Sequence, residues 1–398
     1  MFSIVYVSSF IWDIYRMWKP YLVLFFIFSI VVGTREVKKL GKNQSYTSFV
    51  KKSSFGKTKS GEEIFLFTCR NNNGLTLKMI NLGAIVVSLD IPDRYGNFDN
   101  VNLGFDNLDE YLGGHPYFGS TIGRFGNRIA RASFTLNDSI YRLAKNDGDN
   151  HLHGGNIGYD KVIWDVQEKP NNNGSSLEFT YSSFDGEEGY PGNVNVGVIY
   201  TLTNDNELKI SFKATTDKPT PINLTNHNYW NLNGAGNGNI LDHELIINSN
   251  QYLDVHDNLI PTGKFIDVSG TAFDFRQSTK IGSRFQEIPK IKDLPIGYDH
   301  CFVLNDFEEG KNLRFASRVT HHESGRVMEV FTTEPGIQFY TGNFLDGGAL
   351  SGGFMQNAGF CLETQHFPDA PNQPDFKSTI LNPGDEYSSS TVFKFSVN

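Results

Sequence analysis

The sequence predicts an all-β protein, built as an antiparallel sandwich or barrel. From about Phe55 onward no long stretch has the spacing of an amphipathic helix, and short apolar or alternating segments recur instead. Turn-forming pairs such as Asn73–Gly74 and Asp147–Gly148 separate these segments. The chain also contains 33 Phe, 17 Tyr and 39 Gly residues, which favour strands and tight turns over helices. Many short, closely spaced strands are typical of antiparallel sheets.

The individual elements follow from the alternation of apolar and polar residues. Two brief helical turns are predicted, at Leu108–Leu112 and Ile281–Phe285. No change of composition within 56–398 indicates a second domain. The predicted strands are Glu63–Thr68, Leu75–Ile80, Ala84–Ile91, Ser133–Leu136, Leu177–Tyr181, Val194–Leu202, Leu208–Lys213, His243–Ile247, Cys301–Leu304, Arg326–Thr332, Gly336–Tyr340, Gly359–Glu363 and Thr391–Val397.

Composition excludes several classes of function. The 398-residue chain has a net charge of -9 and lacks a Lys/Arg block outside its N-terminus, which argues against nucleic-acid binding. Three cysteines are too few for a disulfide framework, and no CxxC pair occurs for zinc or redox chemistry. Cys301 and Cys361 lie in apolar runs, so we expect both to be buried free thiols.

The N-terminus resembles a targeting segment. The run Tyr21–Val32 is apolar over about a dozen residues and follows Arg16 and Lys19, which is typical of the hydrophobic region of a signal peptide. Residues 1–33 are therefore predicted to be a signal peptide, cleaved near Gly33, or an uncleaved signal anchor. An incidental extension is the third possibility. Residues 34–55 are rich in Lys, Ser and Gly and are predicted to form a solvated linker before a single domain over 56–398.

These alternatives determine where the protein is expected. A cleaved signal predicts secretion or residence in the secretory pathway, an uncleaved one predicts membrane attachment through residues 21–32, and a non-functional leader predicts a cytoplasmic protein. In a secreted chain, the sequons that begin at Asn43, Asn137 and Asn173 could carry glycans. The sequence does not decide whether they do.

The segment Ile222–Trp230, INLTNHNYW, is the most distinctive stretch of the chain. With a period of two, its polar face consists of Asn223, Thr225, His227 and Tyr229, opposite apolar Ile222, Leu224 and Trp230. Among those polar groups His227 titrates nearest to neutral pH, so it is the candidate for proton transfer. The alternative is a buried histidine satisfied by its neighbours.

Five further stretches place polar groups beside glycines or buried strands. Gly123–Arg128 presents two arginines and an asparagine in a loop, either as a tight surface turn or as donors to hydroxyl groups. Asn150–Gly155 and Gly297–His300 add a histidine and a carboxylate, and Gln338 shares a strand face with Tyr340. The fifth is Gly359–Gln365, whose Glu363 stands among apolar and neutral residues, where burial would raise its pKa. His227 and Glu363 together make a candidate acid/base pair.

The familiar cofactor and nucleophile motifs are missing. The sequence contains no GxGxxG after a strand, no P-loop, no HExxH and no GxSxG. The adjacent pair His321–His322 would point to opposite faces of a strand, so it is a poor metal site. We therefore predict no metal and no cofactor.

Taken together, these stretches resemble the aldose 1-epimerase (galactose mutarotase) family over about residues 57–398. The resemblance rests on their combination, order and spacing. The matching stretches are Gly123–Arg124 with Asn127–Ile129, Leu152–Gly155, Thr225–Leu232, Pro261–Gly263, Gly270–Arg276, Tyr298–His300, Gly336–Asn343 and Cys361–Gln365. Departures are slight: Trp230 stands where Phe is common, and His366–Phe367 stands where an aromatic residue such as Trp is often seen.

The resemblance implies a large antiparallel β-supersandwich of the galactose mutarotase type, with few short helices. It implies an isomerase that interconverts the α and β anomers of free hexoses, typically galactose and glucose, as a monomer or weak dimer without a cofactor. By match to the family's motifs, His227 is the general acid and Glu363 the general base. The matched sugar-binding residues are Asn127, Arg128, His153, Tyr229, Asp299 and Gln338.

The chemistry explains why such a pair is required. Opening a hemiacetal ring needs a base for the anomeric hydroxyl and an acid for the ring oxygen, and the roles reverse on closure. This predicts an ionised Glu363, a protonated His227 and a pH optimum between the pKa values of a carboxylate and an imidazole.

Two other functions remain open at this point. The domain could be a non-catalytic sugar-binding module, although an intact His227 and Glu363 argue against that. It could also be a hexose-phosphate epimerase, which would need a cationic clamp for the phosphate. Arg124 and Arg128 are the candidates for such a clamp.

Overall fold

The computed structural model describes residues 46–308 and 312–398, in which β-strands dominate. In chain order the strands β1 to β27 are Phe49–Lys57, Glu63–Arg70, Thr76–Ile80, Ile85–Pro92, Phe98–Asn100, Thr121–Ile122, Arg128–Ile129, Ser133–Leu136, Ser139–Arg142, His151–Leu152, Asp165–Lys169, Gly174–Ser183, Val194–Thr203, Glu207–Thr216, Thr220–Pro221, Thr225–Asn226, Glu244–Ile247, Ser249–Val255, Pro261–Asp267, Thr279–Lys280, Asp299–Leu304, Arg314–Thr320, Arg326–Thr332, Gly336–Tyr340, Cys361–Gln365, Ile380–Leu381 and Tyr387–Val397.

Helical structure is brief in this part of the chain. Helix α1 spans Leu108–Gly113, and Asn107 caps it by accepting a hydrogen bond from the Glu110 amide. The predicted turn at Leu108–Leu112 is thus a real helix. The second predicted turn, Ile281–Phe285, lies within a 3₁₀ segment. The 3₁₀ segments are Ala130–Ala132, Glu187–Gly189, Ile281–Glu287, Ala349–Ser351 and Ala370–Asn372.

Three large antiparallel sheets carry the fold, which confirms the predicted fold class. The first contains β1–β5 in chain order, and the second has nine strands in the order β11-β12-β13-β14-β27-β23-β22-β17-β20. The third sheet, β19-β18-β21-β24-β25, contributes most to the candidate site. Four two-stranded pairs link these sheets, among them β7 with β10 and β6 with β16.

The core divides into one large and two smaller clusters of buried side chains. The large cluster joins the three sheets through aromatic residues such as Phe179, Phe302 and Phe393. One smaller cluster includes Tyr229, Tyr340 and Cys361, and the other includes Phe125, Ile129 and Cys301. The cavity described below is therefore supported by packed apolar side chains, which hold its polar groups in place.

The segment Ile222–Trp230 is not the continuous strand that its alternation predicts. Within it only Thr225–Asn226 forms a strand, β16, and isolated bridges occur at Asn223 and Trp230. The reason is that its backbone hydrogen bonds go to different neighbours: Ile222 donates to Thr379, His227 to Ser120 and Trp230 to Phe360. Tertiary pairing thus divides a stretch that reads as one strand.

The predicted linker over 34–55 extends too far, because its last residues belong to strand β1. Strand β1 begins at Phe49 and pairs with β2 from Phe49–Arg70 to Lys57–Glu63, because β2 has a free edge that the Lys- and Ser-rich segment can cover. The rest of that linker, up to residue 45, and the predicted leader over 1–33 lie outside the described residues. Cys69, Cys301 and Cys361 are buried free thiols, as predicted for the last two.

Across residues 46–308 and 312–398, the structure contains no helix that is long and apolar enough to span a membrane.

Candidate active site

A cavity of about 180 Å³ brings together seven of the eight site residues predicted from the sequence. Gln338 is the exception, since it does not line the cavity but donates a hydrogen bond to Asp299, which does. The predicted residues that line the cavity are Asn127, Arg128, His153, His227, Tyr229, Asp299 and Glu363. They come from five separate parts of the chain, so the cavity exists only in the folded protein.

The third sheet supplies the carboxylates. On neighbouring strands, Gln338 of β24 is paired in register with Glu363 of β25, and Asp299 of β21 is paired with Tyr340 of β24. Directly opposite residues on adjacent strands point to the same face of a sheet. The Gln338 side-chain amide donates a 2.6 Å hydrogen bond to Asp299 Oδ1, so Gln338 orients the Asp299 carboxyl group.

The β7–β10 pair positions Asn127, Arg128 and His153. Its register places Arg128 opposite Leu152, directly before His153. The His153 amide donates to the Asn127 carbonyl at 3.1 Å, and the Asn127 amide donates back to Nδ1 of His153 at 3.2 Å. Asn127 and His153 both have positive φ, 64° and 51°, which bends the chain so that both side chains face the cavity.

His227 follows β16 directly and is fixed by backbone bonds on both sides. Its amide donates to the Ser120 carbonyl at 2.9 Å, and its carbonyl accepts from the Gly119 amide at 3.0 Å. The imidazole stacks on Tyr229 with 5.0 Å between ring centroids and meets His153 edge-on at 5.1 Å. Packing therefore leaves the ring little freedom to turn.

His227 and Glu363 approach each other across the cavity. Nε2 of His227 lies 3.6 Å from Oε1 of Glu363, and the side chains are 5% and 3% exposed. Burial lowers the pKa of His227 to about 3, against the opposing effect of its own backbone carbonyl. Burial, and then the nearby Asp299, raise the pKa of Glu363 well above its usual range, while Arg128 lowers it.

These directions correct the protonation states expected from the sequence. The predicted arrangement was an imidazolium beside a carboxylate, but removal from water disfavours both charges. Burial therefore favours the neutral form of each partner. The predicted pH optimum between the pKa values of a carboxylate and an imidazole stays a prediction.

Arg128 sits at the centre of the charges around the cavity. Its Nε donates a hydrogen bond to Oδ2 of Asp147 at 2.8 Å, and the Arg128 side chain in this ion pair is largely buried. Burial raises the pKa of Asp299, whereas Arg128 and the Gln338 hydrogen bond lower it. One guanidinium thus faces the carboxyl groups of Asp147, Asp299 and Glu363, which makes the cavity more acidic than basic.

The side chains of His153, His227 and Glu363 offer three potential metal-ligand atoms within 4.8 Å of one another. The hydrogen bonding of His153 argues for another use. Because the Asn127 amide donates to Nδ1, that nitrogen has no proton and the neutral ring carries its proton on Nε2. His153 therefore presents a donor suited to a hydroxyl oxygen, rather than a lone pair suited to a metal.

Some polar residues singled out in the sequence have other roles in the structure. Arg124 is buried away from the cavity and donates to the carbonyls of Pro191 and Gly192 at 2.9 and 3.0 Å, so the expected fork of two arginines does not form. The side chains of Asn223 and Thr225 donate hydrogen bonds to backbone carbonyls instead of lining the cavity. The Tyr229 hydroxyl donates to the Pro116 carbonyl at 2.9 Å, although its ring lines the cavity.

Sequence reasoning missed several residues of the site. Tyr117 packs its ring against His153 at 4.6 Å and His227 at 5.7 Å between centroids. Phe344 lines the cavity and stacks on Tyr340. Tyr340 was visible as the same-face neighbour of Gln338, but Tyr117 and Asp147 lie outside the named strands, in segments whose sequence does not indicate a site.

Comparison with known proteins identifies the family. The family model for aldose 1-epimerase matches residues 66–394. The chain is 48% identical over 326 residues to the galactose mutarotase of Bos taurus, covering 81% of this chain and 92% of that protein. It is 46% identical over 351 residues to the galactose mutarotase of Sus scrofa, covering 87% and 99%.

Solved structures agree with the fold. The crystal structure of a galactose 1-epimerase from Lactobacillus acidophilus NCFM superposes with a TM-score of 0.77 at 27% identity, covering 88% of this chain and 100% of that one. Sequence and fold therefore point to the same relatives. The chain belongs to the aldose 1-epimerase family and is an isomerase that acts on carbohydrates.

Proposed function

We propose that this enzyme interconverts the α and β anomers of free aldohexoses, with galactose and glucose as substrates. The observation that carries the proposal is the pair of Nε2 of His227 and Oε1 of Glu363, 3.6 Å apart in a buried cavity. Hydroxyl-binding groups surround that pair, and the named relatives are galactose mutarotases. A sugar whose anomeric carbon faces this pair could present its anomeric hydroxyl to Glu363 and its ring oxygen to His227.

The reaction moves two protons and makes no lasting bond to the protein. Glu363, as the carboxylate, takes the proton of the anomeric hydroxyl while Nε2 of His227 gives its proton to the ring oxygen. The bond from C1 to the ring oxygen breaks, and C1 becomes an aldehyde carbon. After rotation about C1–C2 the same two protons return, and the ring closes on the other face of C1.

This cycle requires one proton shared by the pair. Burial favours that proton on Glu363, whereas the reactive arrangement has it on His227. Arg128 favours the transfer because it lowers the pKa of Glu363. The two groups then titrate as a unit, with apparent pKa values that belong to the pair rather than to either residue.

The remaining polar groups hold the sugar. His153 can donate a hydrogen bond through Nε2. The hydrogen bond from Gln338 holds the Asp299 carboxyl group, which lines the cavity. Asn127 and Arg128 line the cavity beside them. Such a site disfavours sugars that lack a hydroxyl, because its buried polar groups would lose their partners. Tyr117 and Tyr229 contribute apolar ring faces for the carbon side of the ring.

Charge favours free sugars over phosphorylated ones. Among the described residues that line the cavity, Arg128 is the sole Lys or Arg, and its Nε is engaged by Asp147. Arg124, the other candidate for a phosphate clamp, is bonded to backbone carbonyls elsewhere. A phosphate would therefore meet Asp299 and Glu363 with little cationic compensation.

Polarimetry on freshly dissolved α-galactose, α-glucose and α-glucose 6-phosphate tests the proposal. We expect a strong acceleration of the optical-rotation change for the two free sugars and a much smaller one for the phosphate ester. Acceleration confined to the phosphate ester would favour a hexose-phosphate epimerase. Sugar binding without any acceleration would favour a non-catalytic module.

A further inference from the structure

The imidazole of His227 has a thiol on the side away from Glu363. Sγ of Cys361 lies 3.5 Å from Nδ1 of His227, within the range of a hydrogen bond to sulfur. Cys361 is 0% exposed and stands two residues before Glu363 in β25, so both side chains leave the same face of that strand. One strand thus contacts both ring nitrogens of His227, through sulfur at Nδ1 and carboxyl oxygen at Nε2.

The thiol stays neutral in this place. Burial raises the pKa of Cys361 well above its usual range, and the nearby Glu363 and Asp299 raise it further. A neutral thiol is a weak donor and a weak acceptor, so it can bond Nδ1 either as S–H or through a sulfur lone pair. Whether the thiol donates or accepts determines which nitrogen of the neutral His227 ring carries the proton.

The proposed reaction needs one of these tautomers. After Nε2 has given its proton to the ring oxygen, Nε2 must hold a lone pair in order to take a proton back on ring closure. The ring is then neutral and its remaining proton must be on Nδ1. If Cys361 donated S–H to Nδ1 instead, Nε2 would carry the proton and could not accept another.

We propose that Cys361 is a positioning residue whose sulfur accepts the Nδ1–H of His227 and so keeps Nε2 as the nitrogen that exchanges a proton with the sugar. The inference rests on the proposed anomer interconversion. Tyr229 and His153 pack on the ring and hold its orientation.

A thiol suits this position better than a carboxylate would. A buried carboxylate at Nδ1 would favour the imidazolium strongly and add a further negative charge beside Glu363 and Asp299. Sulfur accepts weakly, so it selects the tautomer without holding the proton on the ring.

The test combines ¹⁵N NMR of histidine-labelled protein with steady-state kinetics on α-galactose. The His227 resonances, assigned by comparison with His227→Asn, report which ring nitrogen carries the proton even without turnover. The variants are Cys361→Ser, whose hydroxyl can still accept, and Cys361→Ala, which has no acceptor. Cys301→Ala is the matched control, because Cys301 is a buried thiol on strand β21 of the same sheet, 2% exposed, with its sulfur near the Phe302 carbonyl.

We expect a protonated Nδ1 in the wild type and in Cys361→Ser. Cys361→Ala is expected to populate the other tautomer and to lose about 10- to 100-fold in kcat with little change in KM, by analogy with other histidine-orienting partners. Cys301→Ala should change neither measurement.

Three results would overturn the proposal: a wild-type ring protonated on Nε2, an unchanged kcat in Cys361→Ala, or a kcat loss without a tautomer change. If Cys361→Ala does not fold, the wild-type and Cys361→Ser spectra still decide. Absence of anomer interconversion by the wild type would reject the proposed function instead, which the NMR measurement distinguishes.

Discussion

Two histidine–glutamate pairs flank strand β25, and they differ in how completely each carboxyl group is bonded. Glu363 and His227 are 3.6 Å apart at the cavity. The second pair is His366, three residues after Glu363, and Glu334, with 2.7 Å between Nδ1 and Oε2. The other oxygen of Glu334 accepts a hydrogen bond from the Tyr387 hydroxyl at 3.2 Å. Both glutamates are 2% exposed, so burial alone does not separate them.

The difference lies in the unused hydrogen-bonding capacity. Within the described residues, Oε2 of Glu363 has no hydrogen-bond partner, and its Oε1 stands beyond a normal hydrogen-bond distance from Nε2 of His227. Both oxygens of Glu334 are engaged by protein groups. A buried, under-bonded carboxyl group is costly unless it is used, whereas a satisfied one contributes to stability. The contrast agrees with the proposed proton transfer at the first pair and predicts a structural role for the second.

Removing either partner at the cavity should produce the largest effect. We expect Glu363→Gln and His227→Asn each to reduce kcat on α-galactose by about 10²- to 10⁴-fold, because each removes one positioned proton transfer. Polarimetry measures the rate, and circular dichroism checks that the fold is retained. Near-wild-type rates in either variant would contradict the proposed proton transfer by His227 and Glu363.

Disrupting the second pair should affect stability rather than rate. His366→Ala leaves the Glu334 carboxylate short of one charge-assisted bond, which should cost about 1.5–3 kcal/mol in the free energy of unfolding. The hydrogen bonds between the His366 backbone and the Asn223 side chain remain, so the strand should stay in place. Urea denaturation gives the stability, and kcat should stay within a few-fold of the wild type.

A large loss of kcat in a folded His366→Ala protein would show that the second pair also serves the reaction. An unchanged stability would show that the Glu334 contact is not structural. Either result would remove the contrast between the two pairs.

The third and smallest expected effect is a gain in the free energy of unfolding when Glu363 is replaced. The folded pKa of Glu363 lies above the ordinary value of 4.5, so the folded state retains a proton that the unfolded chain has released. This raised pKa therefore makes the wild type lose stability as pH rises from 4.5 toward the folded pKa. Glu363→Gln has no such titration and should gain relative to the wild type, by up to about 1.4 kcal/mol per pH unit in that window.

Urea denaturation of both proteins at several pH values above 5 measures that gain. A constant difference across the series would mean that burial does not shift Glu363. Glu334→Gln is the matched comparison, and we expect it to be less stable than the wild type because Glu334 is engaged by two protein groups.

Much of the fold was predictable because strand alternation and turn residues act locally. Segment Ser133–Leu136 and helix α1 appear where the sequence places them. The interpretation failed at Ile222–Trp230, where alternation is present but the pairing partners change along the segment. It also failed at the start of β1, where a polar segment forms an edge strand because an adjacent strand offers hydrogen bonds.

The sequence by itself determined the residue types, their order and hence the family, because each motif is a contiguous stretch. It also determined the apolar faces that make sheets and the chemistry available at His227 and Glu363. Only the tertiary structure decided that Arg124 points away while Asp147 holds Arg128, since neither contact is local in sequence. It also decided that Cys361 faces His227 Nδ1 and that burial shifts both pKa values of the pair. Distances between groups far apart in the chain, and their removal from water, exist only after folding.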